Sequence, residues 1–216
     1  MLKKILVLMV VLAAITPVYA EQLGNQLGNP GFESGALDGG WSATLSGTGA
    51  SAGVNSADAH TGTYSAYLKT DGVTWGDYIQ QTVAMSPGEV VTVGVSYRSP
   101  EGSWASFGLN VVYQDAYGAQ ITDVNGSGVV TKWYYAWVPV FSGTGGADTG
   151  WVTFDANSGE GDWVAPERTV YAKFVISQWG WEGDSNRYDD AILTPEPTTM
   201  VMLTLGGLAL IRRKKA

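Results

Sequence analysis

The side chains with the most to offer chemically are aromatic rings and amides spaced two apart. Trp104, Asn110 and Gln114 share one face of an alternating stretch, and Tyr171, Lys173 and Trp179 share a face of another, with Arg98 nearby if the strands neighbour. Saccharides stack their C–H faces on indole and phenol rings, and their hydroxyls pair with amides and guanidinium groups. Aromatics turned away from a core onto polar strands therefore point to noncatalytic glycan binding. Trp133, Tyr135 and Trp137 share one face of their strand, while Trp75, Trp163 and Trp181 are expected in loops beside Asp77, Asp162 and Asp184, where groove rims sit. The competing reading is that most of the nine tryptophans pack the core.

Catalytic constellations are sparse. His60 is the one histidine and there is no cysteine, so a Ser-His-Asp arrangement would have to be built on that single residue. No HExxH zinc pattern occurs, and no Gly-rich loop precedes a helix to cradle phosphate. Glycoside hydrolysis needs two positioned carboxylates, and none of the acids falls in a hydrolase pattern. The reading is of a protein that is not an enzyme. A structural or adhesive matrix protein without a sugar site is the alternative, and an uncharacterised glycoside hydrolase the third.

The elements that must position these side chains read as strands. Between Glu21 and Leu193 no long helix-period stretch appears, and runs of period two are separated by Gly, Asp, Asn and Ser clusters. Val91, Val93, Val95 and Tyr97 alternate with Thr92, Gly94, Ser96 and Arg98; Ala105, Phe107, Leu109, Val111 and Tyr113 form an apolar face; Val170, Ala172, Phe174 and Ile176 form another. Lys132–Phe141 is a strongly aromatic strand, and Asp155, Asn157, Gly159, Glu160 and Asp162 make a loop that only loosely echoes a calcium loop. About nine strands at these spacings predict an all-β, two-sheet antiparallel sandwich.

Both ends read as export signals. Met1–Ala20 has Lys3 and Lys4, an apolar core and a Val18-Tyr19-Ala20 cleavage site, the pattern of a signal peptide and signal helix cut by signal peptidase. From Thr194 the chain reads TPEPTTMVMLTLGGLALIRRKKA, with Pro195-Glu196-Pro197, a 13-residue apolar run from Thr199 to Ile211 and a cationic tip beginning with Arg212 and Arg213. A short apolar helix closed by cations is held at the membrane, yet 13 residues fall below the ~20 of a relaxed span. This tail resembles the PEP-CTERM sorting signal. The resemblance implies export, membrane contact through the C-terminal helix, transient anchoring in the inner membrane and recognition by an exosortase-type protease, then a place at the cell surface or in the extracellular matrix. The domains expected are a signal peptide over 1–20, a β-sandwich over 21–194 and a sorting signal over 195–216.

Six of the 12 Lys and Arg belong to the two ends, which leaves six cations against 19 acids in the body, a net −13. Nucleic acid, which needs a basic face, is excluded as a partner. Without cysteine, no disulfide can staple the exported body.

Residues 25–35 read NQLGNPGFESG, residues 58–68 read DAHTGTYSAYL and residues 187–193 read RYDDAIL. An opening Asn-Pro-Gly-Phe-Glu strand, a middle His-x-Gly-x-Tyr-Ser strand and a closing Tyr-Asp-Asp-apolar strand resemble the carbohydrate-binding-module jelly rolls of the galactose-binding-like group. The resemblance implies a glycan or exopolysaccharide as partner. It also implies a structural Ca2+ at a corner where Glu33, Thr61 and Asp190 meet, carbonyls near His60–Gly62 completing the set. The alternative is that these carboxylates are solvated or cap backbone N–H groups. Pro30 and Gly31 set a turn, and Phe32 is expected to anchor the core.

Overall fold

The computed structural model describes residues 24–72, 77–100, 106–121, 148–155, 163–180 and 183–195, together with the backbone of 131–136. The expected signal helix, the tail from Glu196 onward with Pro197, Arg212 and Arg213, and the expected binding residue Trp104 lie outside the described residues, as do Trp75, Trp137 and Trp181.

Eleven strands occur among the described residues, and every pairing is antiparallel. They are β1 (Trp41–Thr44), β2 (Ser51–Asn55), β3 (Ser65–Lys69), β4 (Asp77–Ala84), β5 (Val90–Arg98), β6 (Ser106–Gln114), β7 (Thr131–Ala136), β8 (Val152–Asp155), β9 (Trp163–Val164), β10 (Tyr171–Trp179) and β11 (Ser185–Pro195). One sheet runs β1-β4-β10-β6-β7; the other runs β2-β3-β11-β5-β8, with β9 beside β5. The architecture is the expected two-sheet β-sandwich.

The alternation read from the sequence decides which atoms lie between the sheets. Phe107, Leu109 and Val111 of β6, Ala172, Phe174 and Ile176 of β10, and Val91, Val93 and Val95 of β5 are all fully buried. Each of these side chains other than that of Ala172 stabilises the fold by roughly 1.5–3 kcal/mol relative to leaving it in water. Tyr97, Phe107 and Tyr188 form an aromatic cluster across the sheets, with centroids 4.3 and 5.8 Å from Phe107. Phe32, at 0% exposure, is the core anchor expected of it, 5.1 Å from Trp41, whose ring meets Phe174 edge-on at 5.9 Å.

Three expectations about elements are corrected. The Asn-Pro-Gly-Phe-Glu stretch is a loop rather than an opening strand: Asn29 and Phe32 have φ of 47° and 57°, values no strand accommodates. Its backbone is held by Gln81, whose amide accepts from Gly28 N–H (2.7 Å) and donates to the Gly28 and Gly39 carbonyls (3.0 and 2.8 Å). The His-x-Gly stretch is likewise bent, and strand structure begins only at Ser65. Trp163, expected at a loop rim, instead pairs with Val91 in β9 and is 3% exposed, within the core.

Candidate functional site

The outer face of the five-stranded sheet collects most of the polar and aromatic residues singled out above. Antiparallel partners share a face, so the register reads off its rows. Gln80 of β4, Val175 of β10 and Asn110 of β6 stand side by side, with Ser42 and Trp133 at the ends of the row. In the next row Tyr78, Ser177 and Gly108 follow, with Tyr135 of β7 as the last backbone partner.

Trp179 closes β10 on this face, and its indole lies against Gly108. A Cβ placed on Gly108 would stand 2.7 Å from Trp179 Cη2 and 3.0 Å from Cζ3, so the missing side chain is what lets the ring lie close to the sheet. Ser177 donates to the Gly108 carbonyl at 3.2 Å, which ties the same two strands together. Asn110 is only 1% exposed, and its Oδ1, like Oε1 of Gln80, is a buried acceptor without a hydrogen-bond partner among the described residues. Leaving such an acceptor unanswered costs about 1–3 kcal/mol. At the opposite end of the face Tyr171, 38% exposed, pairs in register with Gln114, whose amide donates to the Gly118 carbonyl at 3.0 Å.

Arg98 does not join them. It stands on β5, in the other sheet, and its side chain bridges two carboxylates. Nη1 lies 2.7 Å from Asp58 Oδ2, Nε donates to Asp148 Oδ1 at 2.8 Å, and Nη2 meets Asp148 Oδ2. Trp151 donates from Nε1 to Asp58 Oδ1 at 3.2 Å. The hydrogen bonds from Arg98 hold the Asp148 carboxyl down at about 2. A carboxyl lowered in this way contributes stability that is present above its ordinary range and lost as pH falls through the folded value. In an acid titration the Arg98–Asp148 tether should therefore survive at pH 4 and fail near pH 2. Asp148→Asn should abolish that step in a pH series of thermal midpoints.

The corner implied by the second resemblance does assemble. A bulge in β11 between Asp189 and Ile192, with Asp190 at φ 46°, turns the two aspartates toward residues 60–64. Asp189 Oδ2 accepts from the His60 and Thr61 N–H groups at 2.8 and 3.1 Å. Asp190 takes the Thr61 hydroxyl and His60 Nδ1, both at 2.7 Å. Glu33 accepts from Thr63 and Tyr64 N–H, its carboxylate lying over Gly62, where a Cβ would come within 2.4 Å. His60 is thus a turn residue here, its ring 5.5 Å from Trp151.

Asp189 is fully buried, and burial pushes its carboxyl above the usual range against the pull of these N–H donors. Among the described residues no three His, Cys, Asp or Glu side chains converge as a metal cage. The corner's carboxylate oxygens already accept from these N–H and O–H groups, although by type they are the ligands a hard cation takes.

Sequence reasoning overlooked Gln80, Tyr78 and Gly108. The alternation of DYIQQTVA over 77–84 was the available signal for the first two.

A family model described as the PEP-CTERM protein-sorting motif matches residues 193–215, in line with the resemblance of the tail. No curated protein sequence matches the chain. Among solved structures, the chain is similar to the enzymatically active domain of tailspike protein 4 of bacteriophage CBA120, at 13% identity, 80% of this chain, 21% of that chain and a TM-score of 0.55. It is also similar to the CBM22-1–GH10 modules of a Clostridium thermocellum endo-1,4-β-D-xylanase complexed with xylohexaose, at 16% identity, 80% of this chain, 29% of that chain and a TM-score of 0.52. A CBM61 structure in complex with β-1,4-galactotriose aligns at 21% identity over 80% of this chain and 99% of that one, with a TM-score of 0.49. The chain thus spans 21% and 29% of the first two proteins, and at these identities the likeness is one of fold. The chain is a two-sheet β-sandwich of the jelly-roll kind that carries a PEP-CTERM protein-sorting motif, the mark of an exported protein.

Proposed function

We propose that the exported body binds a glycan or exopolysaccharide, without catalysis, along the outer face of the five-stranded sheet. The observation that supports this best is the Trp179 indole laid over Gly108, one row from the unanswered acceptors of Asn110 and Gln80. A ring face offers stacking to sugar C–H groups; the two amide oxygens are buried, so a hydroxyl or a bridging water reaches them once their side chains turn outward. From Trp179 to Tyr171 the face extends eight residues along β10, about 27 Å at ~3.4 Å per residue, a length that suits a chain polymer better than a single sugar. Xylohexaose and β-1,4-galactotriose are the ligands of two of the similar structures. The tail would anchor the body in the inner membrane until an exosortase-type protease passes it to the cell surface or matrix.

Affinity electrophoresis of the protein in gels of soluble polysaccharides tests the reading. Retardation in at least one glycan is expected; none across a broad panel would leave a structural or adhesive matrix protein. Sugar release from those glycans, lost on carboxylate substitution, would establish a hydrolase instead.

We also propose that Glu33, Asp190 and Thr61 hold a structural Ca2+, with backbone carbonyls of the same corner supplying the remaining ligands. An ion at ~100 times its dissociation constant stabilises by about 2.7 kcal/mol, or roughly 5–10 °C for a body of this size. EGTA should lower the thermal midpoint; a midpoint indifferent to both EGTA and CaCl2 would leave the N–H contacts as the only tie.

A further inference from the structure

We propose that the fold sets an upstream limit on tail processing, so that the peptide bond cut in the sorting motif lies C-terminal to Pro195. The inference rests on the sorting reading of the tail. The matched motif begins at residue 193, yet Leu193, Thr194 and Pro195 are the last three residues of β11, the central strand of its sheet. They pair with Val93, Thr92 and Val91 of β5. On the other side residues 25 and 26 hold Leu193: its N–H donates to Asn25 Oδ1 at 3.0 Å, and its carbonyl accepts from Gln26 N–H at 2.8 Å. Leu193 is fully buried, and Pro195 is buried at the strand's end, where the lack of an N–H donor breaks no ladder.

A protease reads its substrate as an extended chain whose backbone groups are free to pair. Upstream of Pro195 those groups are already engaged. A cut there would first require β11 to leave the sheet, taking Leu193 out of the core and stranding the end of β5. The bond following Pro195 is the first beyond the paired residues of β11. In the step itself the amide C–N bond breaks, and the body's carbonyl carbon takes the oxygen of water, or the hydroxyl or amine of a surface acceptor. The released proton goes to the new amino terminus of the departing tail.

The test is the intact mass and C-terminal peptide of the processed protein recovered from cells that sort PEP-CTERM proteins. The expected body ends at Pro195 or later, with or without an acceptor's added mass; a body ending at Thr194 or earlier overturns the limit. Recovery of only the chain through Ala216 would count against the sorting reading rather than the limit. A second measurement then decides the limit itself. Carboxypeptidase digestion of the full chain in mild detergent should halt at or beyond Pro195, and run past it in urea. Trimming past Pro195 without denaturant sinks the proposal.

Discussion

Gly28→Ala is expected to lower the stability of the body by about 3 kcal/mol or more, the upper end of what overpacking and lost buried hydrogen bonds each cost. A Cβ on Gly28 would stand 2.4 Å from the Gly39 carbonyl oxygen, a backbone atom that cannot swing aside. The two loop segments must then part, against the Gln81 clamp and the 2.8 Å bond from Asn29 Nδ2 to Asp38 Oδ1. Gln81, 2% exposed, would lose its bonds to Gly28 and Gly39, and Trp41 Nε1 its 2.8 Å bond to the Gly28 carbonyl. Thermal unfolding should show a midpoint lower by roughly 6–12 °C at this chain size. Gly88→Ala is the comparison: its φ of 75° is strained for alanine but nothing lies within 4 Å, so about 1–2 kcal/mol is expected. Equal losses in the two variants would show that the clamp does not hold the loop.

Trp179→Ala is expected to weaken polysaccharide binding at least tenfold, about 1.4 kcal/mol, while leaving the thermal midpoint nearly unchanged. The indole lies on the outer face of the sheet and not between the sheets, so its removal opens no core cavity. Gly108→Ala should weaken binding in the same direction by pushing the ring off the sheet, with the sugar's partner atoms all still present. Tyr117→Ala, at a 95% exposed position on a turn, should bind as the parent does. Unaltered retardation of the Trp179 variant in the retaining gel would move the binding site off this face.

How much of this could be read before the fold was known differs residue by residue. The alternation of β5, β6 and β10 already separated Val93 from Arg98, Leu109 from Asn110 and Phe174 from Trp179. Side chains in a strand alternate whatever the strand packs against. It could not say which sheet a strand would enter. For that reason Arg98, on the correct side of its own strand, stands in the other sheet and answers Asp58 and Asp148. It also could not foresee that an outward residue such as Asn110 would be 1% exposed.

By itself the sequence determined what depends on local order: strand faces, an apolar and cation-tipped terminus, and an acidic, cysteine-free body. Only the tertiary structure decided what depends on segments far apart in the chain. Asp189 and Asp190 meet residues 60–64 across about 130 positions, Gln81 reaches back to Gly28, and the sorting motif begins inside a central strand. The physical reason is that period and composition act between neighbours. Pairing and burial are settled only when the whole chain has closed its two sheets on one core.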